Sequence, residues 1–238
     1  PAGDQQRNVL IFTDKGYKIE ETPLLPAGHN KLIQKLDIQI GRDETLLAKR
    51  EVLSFGQYDQ MQRAWLTYTA PEQISQGLEE KIQDFASGAR LIKYDTANVI
   101  ELNSPVRLEY SFSGQEYWTK AGALRILPQL CDIDTSIVGL KERRYPVDLG
   151  LPEIRITEYD IKLPGGIKVK YLPENVSREN PWLKVTVRYA QKNGAISVKQ
   201  ETSTKKIRVA PEEYPEFKDF LEDVTRQIKQ RVILEKIR

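Results

Sequence analysis

Cys131 and His29 are the only cysteine and the only histidine in the 238-residue chain. They are therefore the one pair that could supply a thiolate nucleophile with an imidazole base, and such a pair also needs a third group to orient the base. No local signature surrounds either residue. His29 stands in a Pro/Gly-containing connector and Cys131 in an apolar and acidic stretch, which favours an inert cysteine. Structural zinc takes about four nitrogen or sulfur ligands, which one histidine and one cysteine cannot supply. The nearest approach to a calcium loop, Asp132-Ile133-Asp134-Thr135, lacks the ligand spacing and the glycine, so it reads as solvated. Gly165-Gly166 joins two strands and opens no helix, the pattern of a hairpin turn and not of a phosphate cradle. Asp and Glu number 34, but nothing marks any two of them as a glycosidase pair. These residues assign no catalytic group, no metal ligand and no cofactor.

Binding surfaces leave a weaker trace. Three tryptophans among eleven tyrosines could form a face on which sugar rings stack. Trp65 lies on a helical apolar stripe and reads as core. Trp118, after Glu116-Tyr117, and Trp182, after Asn180-Pro181 at the start of a strand, are the two expected at the surface. Lys+Arg 36 against Asp+Glu 34 leaves a net charge of +2, with acidic residues interspersed throughout. That distribution, and basic pairs as short as Arg143-Arg144 and Lys205-Lys206, argue against nucleic acid as a partner. No run nears the roughly 20 apolar residues that cross a bilayer, so membrane insertion is not expected. The chain starts at Pro1 and its sole methionine is Met61, which suggests a processed chain or a segment of a larger protein.

The elements follow from periodicity. Residues 1–8 are polar and read as frayed, and Val9-Leu10-Ile11-Phe12 reads as a buried strand closed by the turn Thr13-Asp14-Lys15-Gly16. Leu32 to Ile40 and Leu46 to Val52 alternate as a hairpin around Gly41-Arg42-Asp43-Glu44. Tyr58, Met61, Trp65 and Tyr68 fall at helical spacing. Thr69 and Glu72 then match a capping box, with Pro71 in the first turn of a second helix that carries Ile74, Leu78, Ile82 and Phe85. Strands are expected over 89–102, at Val106 to Phe112 and over 118–127, with 128–140 as a connection. Ile154 and Ile156 are even-numbered, whereas Tyr159, Ile161 and Leu163 are odd, which predicts a β-bulge near Thr157-Glu158. Leu183 to Tyr189 alternates, Asn193-Gly194 supplies a tight turn, and Ile196 and Val198 return. Tyr214, Phe217, Phe220, Leu221, Val224 and Ile228 share one helical face, followed by a last strand at Val232-Ile233-Leu234.

From about Arg143 onward the chain resembles the β-rich domain that follows the catalytic core in bacterial transglutaminase-like proteins. The carriers are Arg144-Tyr145-Pro146-Val147-Asp148-Leu149, Leu163-Pro164-Gly165-Gly166 and Tyr171-Leu172-Pro173, then Asn193-Gly194, Pro211-Glu212-Glu213-Tyr214 and Ile233-Leu234. Residues 9–125 are similar to the stretch between that core and its last domain, through Val9-Leu10-Ile11, Thr22-Pro23, Asn30 and the Gly56 and Arg63 pair. The resemblance implies a non-catalytic carboxy-terminal portion of a protein of uncharacterised function, many of whose relatives are exported to the cell envelope or periplasm. The Cys-His-Asp core itself is missing from these residues.

The expected fold is β-rich α+β, with antiparallel β-sandwich-like units and helices packed on the sheets. Two domains are expected, 1–127 and 128–238. The expected role is a structural and interaction module accompanying an upstream transglutaminase-like core. A peptide- or glycan-binding β-sandwich module is the alternative.

Overall fold

The computed structural model describes residues 4–86 and 88–237, so part of the amino-terminal stretch expected to fray lies outside the described residues. The chain opens with the strands β1 (Asn8–Thr13) and β2 (Gly16–Glu21). It continues through β3 (Lys31–Ile40), β4 (Leu46–Ser54), α1 (Gln57–Tyr68) and α2 (Pro71–Phe85). Next come β5 (Arg90–Ala97), β6 (Val106–Gly114), β7 (Thr119–Ala121), β8 (Leu124–Ile126) and β9 (Val147–Asp148). The remainder holds β10 (Ile154–Lys162), β11 (Ile167–Tyr171), β12 (Val176–Glu179), β13 (Leu183–Lys192) and β14 (Ala195–Thr204). After β15 (Arg208–Val209) come α3 (Tyr214–Ile228) and β16 (Ile233–Lys236).

Eight strands form one large sheet in the order β12-β13-β14-β10-β3-β4-β6-β5, and a smaller antiparallel sheet runs β11-β16-β8-β7. The β-rich α+β class is thus observed, with one departure from purely antiparallel pairing. β10 lies parallel to β3, in register from Ile154 opposite Lys31 to Lys162 opposite Gln39. A parallel neighbour needs a long crossover, here the whole of residues 41–153. The boundary expected between residues 127 and 128 therefore falls inside two shared sheets, because β10 pairs with β3 and β16 with β8.

Register decides which side chains face inward. Leu36, Ile38, Ala48, Phe112, Ile161 and Val198 share one face of the large sheet and are buried. Ile74, Leu78 and Ile82 of α2, Val224 and Ile228 of α3 and Leu234 of β16 complete this core. A second core under the first half of α3 holds Trp182, Tyr214, Phe217 and Leu221. The opposite face of the large sheet is charged and carries ion pairs such as Lys49–Glu109 (2.8 Å) and Lys199–Glu158 (2.8 Å).

Four local expectations are corrected. No bulge interrupts β10, whose register runs unbroken against both β14 and β3. The apolar residues change face because what covers the sheet changes: Tyr159 and Ile161 meet the core, whereas Arg155 and Thr157, on that same face, line an open cleft. Helix α1 does not bury its apolar stripe, since Met61 and Tyr68 are exposed and its buried residue is Arg63. The Arg63 guanidinium holds Asp59 (Nε to Oδ2, 2.6 Å) and donates to the carbonyls of Asn98, Val99 and Ser104, clasping α1 to the loop before β6. The capping box is not formed: Ala70 is the N-cap of α2, no side chain caps it, and Pro71 takes the first turn as expected. Finally, β1 is a strand but is not buried.

Two polar contacts hold distant segments together. Asn30 is buried; its amide donates to Pro152 O (2.9 Å) and its side-chain oxygen accepts the Gln57 N–H (3.2 Å) at the start of α1. Gly56 beside it has φ +61°, and a Cβ there would lie 2.2 Å from His29 O. In the β3–β4 turn, Glu44 lies 2.6 Å from Lys120 Nζ and 3.0 Å from Arg125 Nη2. Arg125 in turn donates to Gly122 O and Leu124 O, so the turn is fastened to the β7–β8 hairpin.

Asn30→Ala leaves two buried groups unpaired and should lower the unfolding free energy by about 2–4 kcal/mol, read by urea denaturation. A loss below about 0.5 kcal/mol would show that the junction does not rest on this residue. For Glu44, burial alone would raise the carboxyl, but Lys120, Trp118 and Arg125 outweigh it and hold it at about 2, against an ordinary value near 4.5. A depressed carboxyl contributes stability that is complete above its unfolded value and is lost as pH falls through the folded one. Glu44→Gln should therefore cost about 1–2 kcal/mol at pH 7, solvent screening at this partly exposed site included. The gap between variant and parent should close between pH 5 and about 2, and a gap that does not vary with pH would refute the clamp.

Candidate functional site

The residues singled out from sequence do not converge. Cys131 is buried, its Sγ accepting from Tyr189 OH at 3.7 Å, and burial pushes its thiol up to about 11. His29 is exposed at the end of a short 3-10 turn, Ala27–His29. Among the described residues no three of His, Cys, Asp and Glu are grouped so as to hold a metal ion.

The expected tryptophan surface is overturned. Trp118 is 4% and Trp182 1% exposed. Asn180 explains Trp182: its side-chain oxygen accepts the N–H groups of Trp182 (3.0 Å) and Leu183 (2.7 Å), a tight turn that swings the indole inward. There the ring meets Phe217 edge-on at 5.7 Å, and its N–H donates to Arg208 O at 3.0 Å. Trp118 joins the main core beside the Glu44 clamp. Trp65 is half-buried, as a core reading implies, with Lys81 Nζ 4.9 Å from its ring centre.

Two other surfaces emerge instead. The first is the β1–β2 hairpin, which forms a sheet of its own. Leu10 pairs with Ile19 and Phe12 with Tyr17, so all four occupy one face, and all four are 52–80% exposed. A hairpin of two strands is marginal by itself in water, and a contiguous apolar face of this kind marks a contact surface. Sequence reasoning read Val9 to Phe12 as a strand but missed Tyr17 and Ile19. Their alternation with Lys18 and Glu20, in phase across a two-residue turn, was the available signal.

The second is a cleft of about 400 Å³ between the start of β10, the end of β14 and the 130–149 segment. At its rim Glu153 pairs with Arg155 (Nε to Oε1, 2.7 Å) and accepts from Gln57 Nε2 (3.1 Å) and from the Tyr58 hydroxyl. Arg155 Nε also donates to Tyr58 OH at 2.8 Å. Burial, and the hydrogen bond to Glu153, push the Tyr58 phenol up to about 12. Asp132 and Asp134 are exposed, as the solvated reading implies, and stand on the cleft wall with their backbone anchored in part by Gln200 (Asp132 N–H to Oε1, 3.1 Å).

Trp182→Ala should lower stability by about 3–5 kcal/mol in a urea titration, as expected for deleting a fully enclosed aromatic ring. Tolerance within about 0.5 kcal/mol would restore the surface reading.

Residues 124–234, just under half of the chain, match the family model described as a domain of unknown function with a solved structure, DUF3858. No curated protein matches the chain. Among solved structures, the chain is similar to a "putative protease" from Parabacteroides distasonis at 11% identity and TM-score 0.45, over 92% of this chain and 29% of that one. It is also similar, at 11% identity and TM-score 0.28, to an M1 zinc metallopeptidase from Deinococcus radiodurans, over 87% of this chain and 41% of that one.

Proposed function

We propose that the chain is a non-catalytic structural and interaction module of a longer protein, and that it docks by the Leu10, Phe12, Tyr17 and Ile19 face of its first hairpin. The exposure of that face carries the reading. Burying four such side chains would contribute roughly 5–10 kcal/mol before ordering costs, enough to seat a hairpin that is marginal alone. The occupant we propose is an upstream catalytic core, because residues 143–238 resemble the domain that follows such a core in transglutaminase-like proteins. The burial of Cys131, together with its raised thiol, supports a supporting role over chemistry of its own.

Hydrogen exchange tests this. The β1–β2 amides should exchange fast in this chain and at least about tenfold more slowly in the parent protein. The double substitution Phe12→Asp/Tyr17→Asp should restore fast exchange in the parent while leaving the thermal stability of this chain unchanged. Equal exchange in both contexts, or a parent reading frame without an upstream folded domain, would end the proposal.

A further inference from the structure

The two ends of the large sheet differ. At one end the connections are polar turns, residues 41–45 between β3 and β4 and Asn193-Gly194 between β13 and β14. At the other end, the register sets Val106 of β6 opposite Ser54 of β4, and Ser54 opposite Leu32 of β3. The β5–β6 loop, residues 98–105, therefore leaves the sheet two strand spacings, roughly 10 Å, from the point where the chain arrives from the first hairpin. The hairpin is tied in at this end: the Leu25 N–H donates to Gln5 Oε1 at 2.9 Å, and both residues line a hollow of about 330 Å³ with Phe55 and Gln57.

The loop is held in a fixed shape. Arg63 donates to the carbonyls of Asn98, Val99 and Ser104, Asn98 Nδ2 donates to Pro105 O (3.0 Å), and the Val106 N–H donates to Asp59 Oδ1 (2.8 Å). Its tip nevertheless displays Ile100 and Leu102, which are 92% and 81% exposed. Fixing backbone costs about 1–2 kcal/mol per residue, and within this chain neither side chain offsets that cost by burial. A loop already fixed loses little further entropy when a partner covers it. The aliphatic tip and the hairpin face of Leu10, Phe12, Tyr17 and Ile19 thus emerge from the same end of the sheet, away from the polar turns.

We propose that Ile100 and Leu102 form a second, preformed anchor of the same docking surface, seated against the upstream domain that covers the hairpin. A domain joined ahead of β1 is tethered at this end of the sheet, which gives it the highest local concentration there. The inference rests on the hairpin reading for its occupant, and the two can fail separately.

Thiol labelling tests it, with Phe12→Cys, Leu102→Cys and, at the polar end, Lys192→Cys compared in the 238-residue chain and in the parent protein. The native Cys131 is buried and adds no fast phase. In the chain all three introduced thiols should react as free thiols do. In the parent, Phe12→Cys and Leu102→Cys should react at least about tenfold more slowly, and Lys192→Cys at an unchanged rate. Arg63→Lys keeps the charge but not the fork, and should cut protection at residue 102 about threefold while leaving residue 12 protected. Protection at residue 102 that does not respond to Arg63→Lys would overturn the preformed anchor. Protection of Phe12→Cys alone overturns the loop contact and leaves the hairpin reading standing, whereas protection of Leu102→Cys alone supports the loop contact and removes the hairpin. Protection of neither ends both. Slow labelling of Leu102→Cys in the chain itself, relieved by dilution, would make the occupant a second copy and overturn the assignment.

Discussion

The parallel ladder between β3 and β10 is the joint on which the architecture depends. Residues 31–39 and 154–162 are separated by nearly half the chain, so closing that loop has an entropic cost that local structure cannot repay. The ladder is secured where it begins: Ile154 N–H donates to Asn30 O at 2.9 Å, and the buried Asn30 amide bonds to Pro152 O. The same side chain receives the first turn of α1, and Gly56 gives the backbone room to approach His29. From this joint the sheet grows outward, through β4, β6 and β5 on one side and β14, β13 and β12 on the other. Helices α2 and α3 and strand β16 then cover the face so created.

That joint also explains where the cleft lies. The cover over the inner face is complete beside Ile38 and Ile161 but gives way near the start of β10, where the 130–149 segment crosses without filling the space. Threonine and glutamine occupy the floor there, and the apparent change of face along β10 is this same transition seen from one strand. The hairpin β1–β2 illustrates the opposite case. Its apolar residues had the composition of a core strand, yet the large sheet ends at β12 and β5, and neither edge accepts it. Two strands alone cannot enclose either of their faces.

Much was legible from local pattern. Alternation located β3, β4, β6, β13 and β14, the positive φ angles of Asn193 and Gly194 form the expected turn, and the six-residue face of α3 is the one that packs inward. These features depend on neighbours within a few residues, where side-chain spacing and backbone stereochemistry act directly. Burial was less legible. Trp182 looked exposed at a strand start and is enclosed, whereas Met61 and Tyr68 looked enclosed and are exposed, because Arg63, on the opposite side of α1, turns that side inward onto carbonyls of a loop 35 to 41 residues away. A charged anchor on the side opposite an apolar stripe leaves no trace in hydrophobic periodicity.

The amino-acid order by itself determined the β-rich class, most strand and helix positions, the hairpin turns and the absence of a clustered Cys-His signature, since all of these follow from residue type and short-range spacing. The tertiary structure alone decided the parallel pairing of β3 with β10, the burial of Trp118 and Trp182, the open apolar face of the first hairpin and the polar-floored cleft. Each of those depends on which distant segment comes to cover a given face, and that choice is settled by the summed burial and hydrogen bonding of the whole chain.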